Sequence, residues 1–268
     1  MPEHPLQIMS VNVNKQSFLT HSLLQTCTAD ILLIQEPWIG TVQTARSDTD
    51  PLGTAVLGPT HNNMWDLLLP SYTDQTDVRV AIFVKTDIAR TFKIDNHKSH
   101  PIATVDCMVV DVSFEDDDFL RIINIYHRVP NERPLRHNLL HLFSSTLDPL
   151  LPTLLIGDFN THSHIWSFPY STISPWANEL VDWFDDQGLE LLNPPRVPTW
   201  ESGRDDRHPS VLDLALINEA AAISGQITDT RVSFSESITS DHAALCLLWC
   251  PSESIALNPP PSLTVKVH

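Results

Sequence analysis

The chain has 268 residues, 42% of them hydrophobic and 18% charged. That is long enough to bury an extensive core and close to globular averages, which excludes disorder, collagen-like repeats and a disulfide-stapled miniprotein. Sixteen Lys plus Arg against 33 Asp plus Glu leave a formal charge of −17, a field that repels polyanions such as nucleic acid unless basic groups are concentrated locally. No apolar run approaches the roughly 20 residues that span a bilayer, so a membrane-spanning chain is excluded. The N-terminus shows neither a secretory nor a transit pattern, and an intracellular location is the expectation. Cys27, Cys107, Cys246 and Cys250 stand in apolar settings without a CxxC pair and read as buried free thiols.

In chain order, apolar alternation and β-branched residues predict strands over 6–14, 30–35, 79–85, 103–114, 119–126, 153–157, 211–217, 226–233 and 243–249. Helical spacing joins Leu19, Leu23 and Cys27, then Leu135, Leu139, Phe143 and Leu147, then Trp176, Leu180 and Phe184. The third helix is bounded by Ser174 as an N-cap, Pro175 at the first helical position and Gly188 as a left-handed terminator. One pattern occurs twice. A helix and a short apolar strand lead to Glu36 in the first half and to Asp158 in the second, each carboxylate falling at a strand end, where α/β folds place ligands. Many strands and few helices make a four-layer α/β sandwich the economical architecture, two mixed sheets packed face to face with helices outside. Residues 1–250 are expected to form this domain, and 251–268, with Pro259-Pro260-Pro261, a loose tail.

Polar residues interrupt or end the apolar strands at Asn12, Glu36, Tyr126, Asp158, Asn160, Asp213, Asp241 and His242. Most have ordinary alternatives as turns or solvated strand ends. Asp213, inside Val211-Leu212-Asp213-Leu214-Ala215-Leu216, does not, because a buried carboxylate is costly unless paired. His242 is the candidate partner, with Asp213 on one ring nitrogen fixing the tautomer and favouring the imidazolium.

These residues carry a resemblance. Ser10-Val11-Asn12-Val13-Asn14, Leu33-Ile34-Gln35-Glu36-Pro37, Asn124-Ile125-Tyr126, Gly157-Asp158-Phe159-Asn160, Pro198-Thr199-Trp200, Ser210-Val211-Leu212-Asp213 and Ser240-Asp241-His242 resemble, in the same order, the motifs of the endonuclease/exonuclease/phosphatase superfamily. The run from Gly157 to Trp166 and the later Gly188-Leu189-Glu190-Leu191-Leu192-Asn193 are similar to the endonuclease domains of non-LTR (LINE-type) retrotransposons.

The resemblance implies a DNase I-like fold and a Mg²⁺-dependent phosphodiesterase, with Mn²⁺ as a substitute, DNA as substrate partner and no organic cofactor. It implies Glu36 as principal metal ligand, with Asn12 and Asp241 as close or water-mediated ligands. It further implies that Asp158 activates the attacking water while Asn160 holds that water or a phosphate oxygen. Tyr126 and His242 would donate to the equatorial oxygens, Asp213 would orient His242, and Thr199, Ser240 and Arg128 would touch substrate. A nuclear location accompanies that reading; the oligomeric state stays open. Two departures are visible: Lys15 stands where many members have Gly, and His127-Arg128 replaces a more usual small residue or Asn after the tyrosine. No reverse-transcriptase segment follows the motifs, which suggests a free-standing, truncated or domesticated piece.

Arg121, Arg128, Arg133 and Arg136 against Glu132 form a local basic segment, a landing surface for DNA unless these arginines pair with the acidic run at 115–118. Arg196, Arg204 and Arg207 are offset by Glu201, Asp205 and Asp206. His162 and His164 lack the further ligands of a transition-metal site. Trp166, Trp176, Trp183, Trp200 and Trp249 read as core rather than as base-stacking platforms. Ser240-Asp241-His242 cannot be a serine-hydrolase triad, since adjacent residues do not converge. Two alternatives to a DNA endonuclease stay in view: the same chemistry on RNA or a small phosphoester, and a catalytically silent remnant that only binds.

Overall fold

The computed structural model describes residues 5–43, 55–60, 62–70, 78–114, 118–128, 142, 144–202 and 208–251. β1 (Leu6–Asn12), α1 (Ser17–Thr26) and β2 (Ile31–Gln35) form a first parallel unit, since a helical crossover returns the chain to lie beside the strand it left. β3 (Ile39–Gln43) and β4 (Ala55–Pro59) make a separate two-stranded ribbon. β5 (Trp65–Leu68) and β6 (Val80–Lys85) complete the first sheet on one side. After α2 (Ile88–Thr91) come β7 (Lys93–Asn96), β8 (Cys107–Phe114), β9 (Asp118–Tyr126), β10 (Thr153–Asp158), α3 (Ala177–Asp186), β11 (Leu189–Leu191) and β12 (Asp213–Asn218). The chain then passes through α4 (Glu219–Ser224) and returns to the first sheet as β13 (Ile227–Ser233) and β14 (Ala244–Trp249).

The sheet orders are β13-β14-β1-β2-β6-β5 and β11-β12-β10-β9-β8-β7. Each sheet is antiparallel except for one central parallel pair, β1 with β2 and β9 with β10, and the two pairs face each other across the sandwich. β2 and β10 are buried along their whole length, which explains their uninterrupted apolar sequences. The inter-sheet core joins Ile8, Leu33 and Ile82 to Val110, Ile122 and Ile156. Outside it, Leu19 and Leu23 of α1 seal the first sheet, and Leu180 and Phe184 of α3 seal the second. The four layers are therefore helix, sheet, sheet, helix. No helix among the described residues is long and apolar enough to cross a membrane.

The nine predicted strands are present, several of them trimmed; the ribbon, β5, β7, β11 and the two short helices were not foreseen. α3 begins at Ala177, not at Pro175, and Ser174 does not cap it: its hydroxyl accepts from the His162 N–H at 2.9 Å instead. Gly188 does take the left-handed conformation, φ +61°. Cys107 and Cys246 are buried, whereas Cys27 and Cys250 are half-buried; all four are free. The helix expected through Leu135, Leu139 and Phe143, the tail beyond residue 251, the arginines at 133, 136, 204 and 207, the acids at 132, 205 and 206, and the acids at 115–117 lie outside the described residues.

Gly157 shows how closely the strands before the site approach. Its φ is +144°, and a Cβ placed there would lie 2.0 Å from the Ile125 carbonyl oxygen of β9. Gly157→Ala is expected to destabilise the fold by at least about 3 kcal/mol, the sum of backbone strain and overpacking. Urea unfolding checks this, and a variant that unfolds like the wild type would show that β9 can give way.

Candidate active site

Topology gathers the polar strand ends. Asn12, Gln35, Tyr126 and Asp158 close four parallel-running strands, so all lie at one edge of the sandwich. β12 and β14 run antiparallel to their neighbours, so their N-terminal ends bring Asp213 and His242 to that same edge. The ladder sets Asp158 beside Tyr126 on one side and beside Asp213 on the other. Asp213 thus opens its strand instead of interrupting it, which corrects the expected start at Val211.

Hydrogen bonds tie the two sheets together here. Asn12 Nδ2 donates to Asp158 Oδ2 at 2.9 Å, and the Tyr126 hydroxyl donates to Glu36 Oε1 at 2.9 Å. Beneath them Gln35 donates to Asn124 Oδ1 at 2.6 Å, while Asn124 donates to the Ala81 carbonyl at 3.1 Å. This inter-sheet bridge was not foreseen. Its sequence signal is a polar residue at a fully buried position of an apolar strand, which demands a partner.

Asp158 is almost fully buried, and its carboxylate accepts two further hydrogen bonds, both from Asn160. The Asn160 N–H reaches Oδ1 at 2.9 Å, and Asn160 Nδ2 reaches Oδ2 at 2.9 Å while also donating to the His127 carbonyl at 3.0 Å. Burial, reinforced by the Asp213 charge, pushes the Asp158 carboxyl up, against the opposing pull of His242, Asn12 and Asn160. His242 Nδ1 lies 2.9 Å from Asp213 Oδ2. Burial pulls this imidazole down, but Asp213, Asp158 and Asp241 outweigh it and lift it to about 9. Burial, then the Glu36 and Asp158 charges, push the Tyr126 phenol up, so it stays a neutral donor.

Glu36 stands one residue past β2 at φ +49°, held by its N–H on the Arg79 carbonyl at 2.8 Å. Asp241 Oδ2 accepts from the Trp200 indole at 3.1 Å, while its Oδ1 is buried without a hydrogen-bond partner. Carboxylate oxygens with an unsatisfied acceptor fit a hard divalent cation. A different trio, Asp158, Asp213 and His242, has ligand atoms within 4.8 Å of one another. Its ligand atoms are already engaged, His242 Nδ1 with Asp213 Oδ2 at 2.9 Å and Asp158 Oδ2 with the Asn12 and Asn160 amides at 2.9 Å each.

Other expected site residues do different work. Thr199 is fully buried, and its hydroxyl accepts from the Leu212 and Asp213 N–H groups, each at 2.9 Å. It is a strut beneath Asp213. Ser240 donates to the Asn12 carbonyl at 2.6 Å and accepts from the His242 N–H, joining the first and last motifs. Arg128 is paired with Asp106 at 2.8 Å, and Arg121 is bidentate on Asp111 at 2.8 and 2.9 Å; these partners lie in the loop and strand before Phe114, and residues 115–117 of the acidic run lie outside the described residues. Trp166, Trp176, Trp183 and Trp249 are core, but Trp200 is half-buried and lines a groove of about 460 Å³ with Asn160, His162, His208, Ser210, Leu212 and His242. A separate cavity of about 360 Å³ on the outer face of the first sheet, lined among others by Met9, Cys27, Glu236 and Cys246, includes none of the candidate site residues.

Lys15 holds φ +55°, with its ammonium 3.8 Å from Glu36 Oε1. A left-handed backbone disfavours a side-chain-bearing residue by about 1–2 kcal/mol, which accounts for the glycine usual at this place. After the entropy that glycine itself loses, Lys15→Gly is expected to stabilise the protein by on the order of 0.5–1 kcal/mol. A calorimetric Tm that fails to rise would mean that the Lys15–Glu36 attraction outweighs the strain.

The family model described as an endonuclease-reverse transcriptase matches residues 120–246. Among solved structures, the endonuclease domain of TRAS1, a telomere-specific non-LTR retrotransposon, aligns with a TM-score of 0.64 at 19% identity, covering 91% of this chain and 98% of that one. The AP endonuclease LMAP from Leishmania major aligns with a TM-score of 0.58 at 11% identity, covering 93% and 89%. The catalytic domain of APE2 from Xenopus laevis gives 0.55 at 16%, covering 97% and 96%. No curated protein matches the chain by sequence. The chain therefore has the fold of these solved endonuclease domains, and over residues 120–246 it resembles the endonuclease-reverse transcriptase family.

Proposed function

We propose that the protein is a metal-dependent DNA endonuclease that nicks the phosphodiester backbone by attack of water. The observation that carries this reading is the convergence of a buried carboxylate and a carboxylate-held imidazole at one sheet edge: Asp158 held by Asn12 and Asn160, and His242 held by Asp213. Glu36 and Asp241, with Asn12 nearby, would hold Mg²⁺, or Mn²⁺ in its place; when bound, such a cation polarises the phosphate and stabilises the departing oxygen.

The chain's own residues supply the rest. Asp158 takes the proton of the attacking water, its raised affinity for protons making it a stronger base than an exposed carboxylate. The Asn12 and Asn160 amides fix both of its oxygens. His242 keeps Nδ1–H on Asp213, which leaves its other ring nitrogen to donate to a phosphate oxygen as charge builds there. Tyr126, hydrogen-bonded to Glu36, keeps that carboxylate in place beside the same phosphate.

A second reading, the same chemistry on RNA or a small phosphoester, is favoured by one observation: Arg121 and Arg128, the described residues of the basic segment, are engaged by Asp111 and Asp106. Incubation with supercoiled plasmid and Mg²⁺, with and without chelator, tests the proposal. Open-circle product that forms only with the metal supports it. No nicking beside rapid hydrolysis of a small phosphodiester would favour the second reading, and inertness toward both would mean a binding remnant.

A further inference from the structure

The turn that carries Asp158 is gripped from behind by a residue that the phosphodiesterase reading leaves without a role. His127 follows β9, is fully buried, and meets each residue of that turn. Its N–H donates to the Asp158 carbonyl at 2.7 Å, its carbonyl accepts from Asn160 Nδ2 at 3.0 Å, and its ring Nδ1 lies 2.7 Å from the Phe159 carbonyl oxygen. A carbonyl only accepts, so Nδ1 carries the proton. Trp176 packs edge-on against the ring at 5.2 Å. The same indole donates to Thr161 Oγ1 at 2.8 Å, and that hydroxyl donates to the same Phe159 oxygen at 2.6 Å.

Two donors therefore hold one carbonyl, and planarity passes the restraint on. In a trans peptide the C=O and N–H point in opposite directions, so gripping the Phe159 oxygen aims the Asn160 N–H at Asp158 Oδ1, 2.9 Å away. The restraint matters because Asn160 sits at φ +44°, a conformation held only where its surroundings enforce it. We infer that His127 is a positioning residue which, through the Phe159 carbonyl, sets the orientation of the Asp158 carboxylate. The inference rests on the reading of Asp158 as the base. It assigns a task to a position where an Asn or a small residue is more usual, and Asn can present its side-chain amide where Nδ1 now stands.

The test compares His127→Leu, which removes the ring donor, with His127→Asn, which keeps one. It reads kcat and KM for plasmid nicking, Tm, and hydrogen exchange of the Asn160 amide. His127→Leu should lower kcat about 10- to 100-fold with KM nearly unchanged and speed exchange of that amide, and His127→Asn should restore both. A folded His127→Leu with wild-type kcat and amide protection would overturn the inference. So would two variants impaired equally, in proportion to lost Tm. Should His127→Leu not fold, Thr161→Val removes the other donor to the same oxygen and should move the same amide; an unmoved amide overturns the inference. The exchange measurement does not depend on cleavage, so an inactive wild type would refute the role of Asp158 while leaving the grip on the turn to be judged by the amide alone.

Discussion

Asp158→Asn should lower plasmid nicking by about 10²–10⁴-fold, the usual worth of a positioned general base, while the fold persists. The substitution keeps the shape of the side chain and one acceptor for Asn12 and Asn160, but an amide cannot take a proton from water. Its effect on stability has the opposite sign. The folded state raises the Asp158 pKa through burial and the Asp213 charge, so ionising it costs stability as pH rises from the unfolded carboxylate value through the folded one. Removing that charge should leave Tm at pH 8 unchanged or higher, the trade of stability for activity expected at a strained site. A variant that nicks at the wild-type rate would show that another group activates the water.

Asp213→Asn should cost about 10²–10³-fold in kcat, the worth of an oriented donor to a developing oxyanion, and should change the pH profile. In the folded protein His242 is lifted to about 9, above its unfolded value near 6.5. The interaction therefore contributes its full stability below about 6.5 and loses it as pH rises through about 9. The rate should fall over the same alkaline range as the imidazole loses its proton. With Asp213 neutral, the largest of the charges that raise His242 is gone, and the alkaline limb should move to lower pH. NMR titration of the imidazole checks the shift directly. An unmoved titration would leave Asp158 and Asp241 as the groups that hold the proton.

The parts of this arrangement that were legible in the sequence are those with a local cost. Asp213 amid apolar residues required a partner, and His242 supplies it at 2.9 Å. β2 and β10 were legible because they are buried on both faces and carry unbroken apolar runs. The three-residue β11 and the four-residue β5 and β7 were not, because a short edge strand shows too little alternation to be told from a loop. The destination of a side chain was hidden wherever the partner is distant in sequence. The hydroxyl of Thr199 could face either way in its motif, and only the fold shows the Leu212 and Asp213 amides that donate to it. Arg128 likewise looked available until Asp106 came beside it.

In the proposed function labour is divided: Glu36 and Asp241 would hold the cation, and Asp158 would activate the water. Binding of Mn²⁺, followed by electron paramagnetic resonance in the wild type and in Glu36→Gln, Asp241→Asn and Asp158→Asn, separates the two tasks without relying on cleavage. Mn²⁺ binding should be lost or greatly weakened in Glu36→Gln and Asp241→Asn and retained in Asp158→Asn. Binding that survives Glu36→Gln but disappears in Asp158→Asn would place the cation on the Asp158, Asp213 and His242 trio and refute this division.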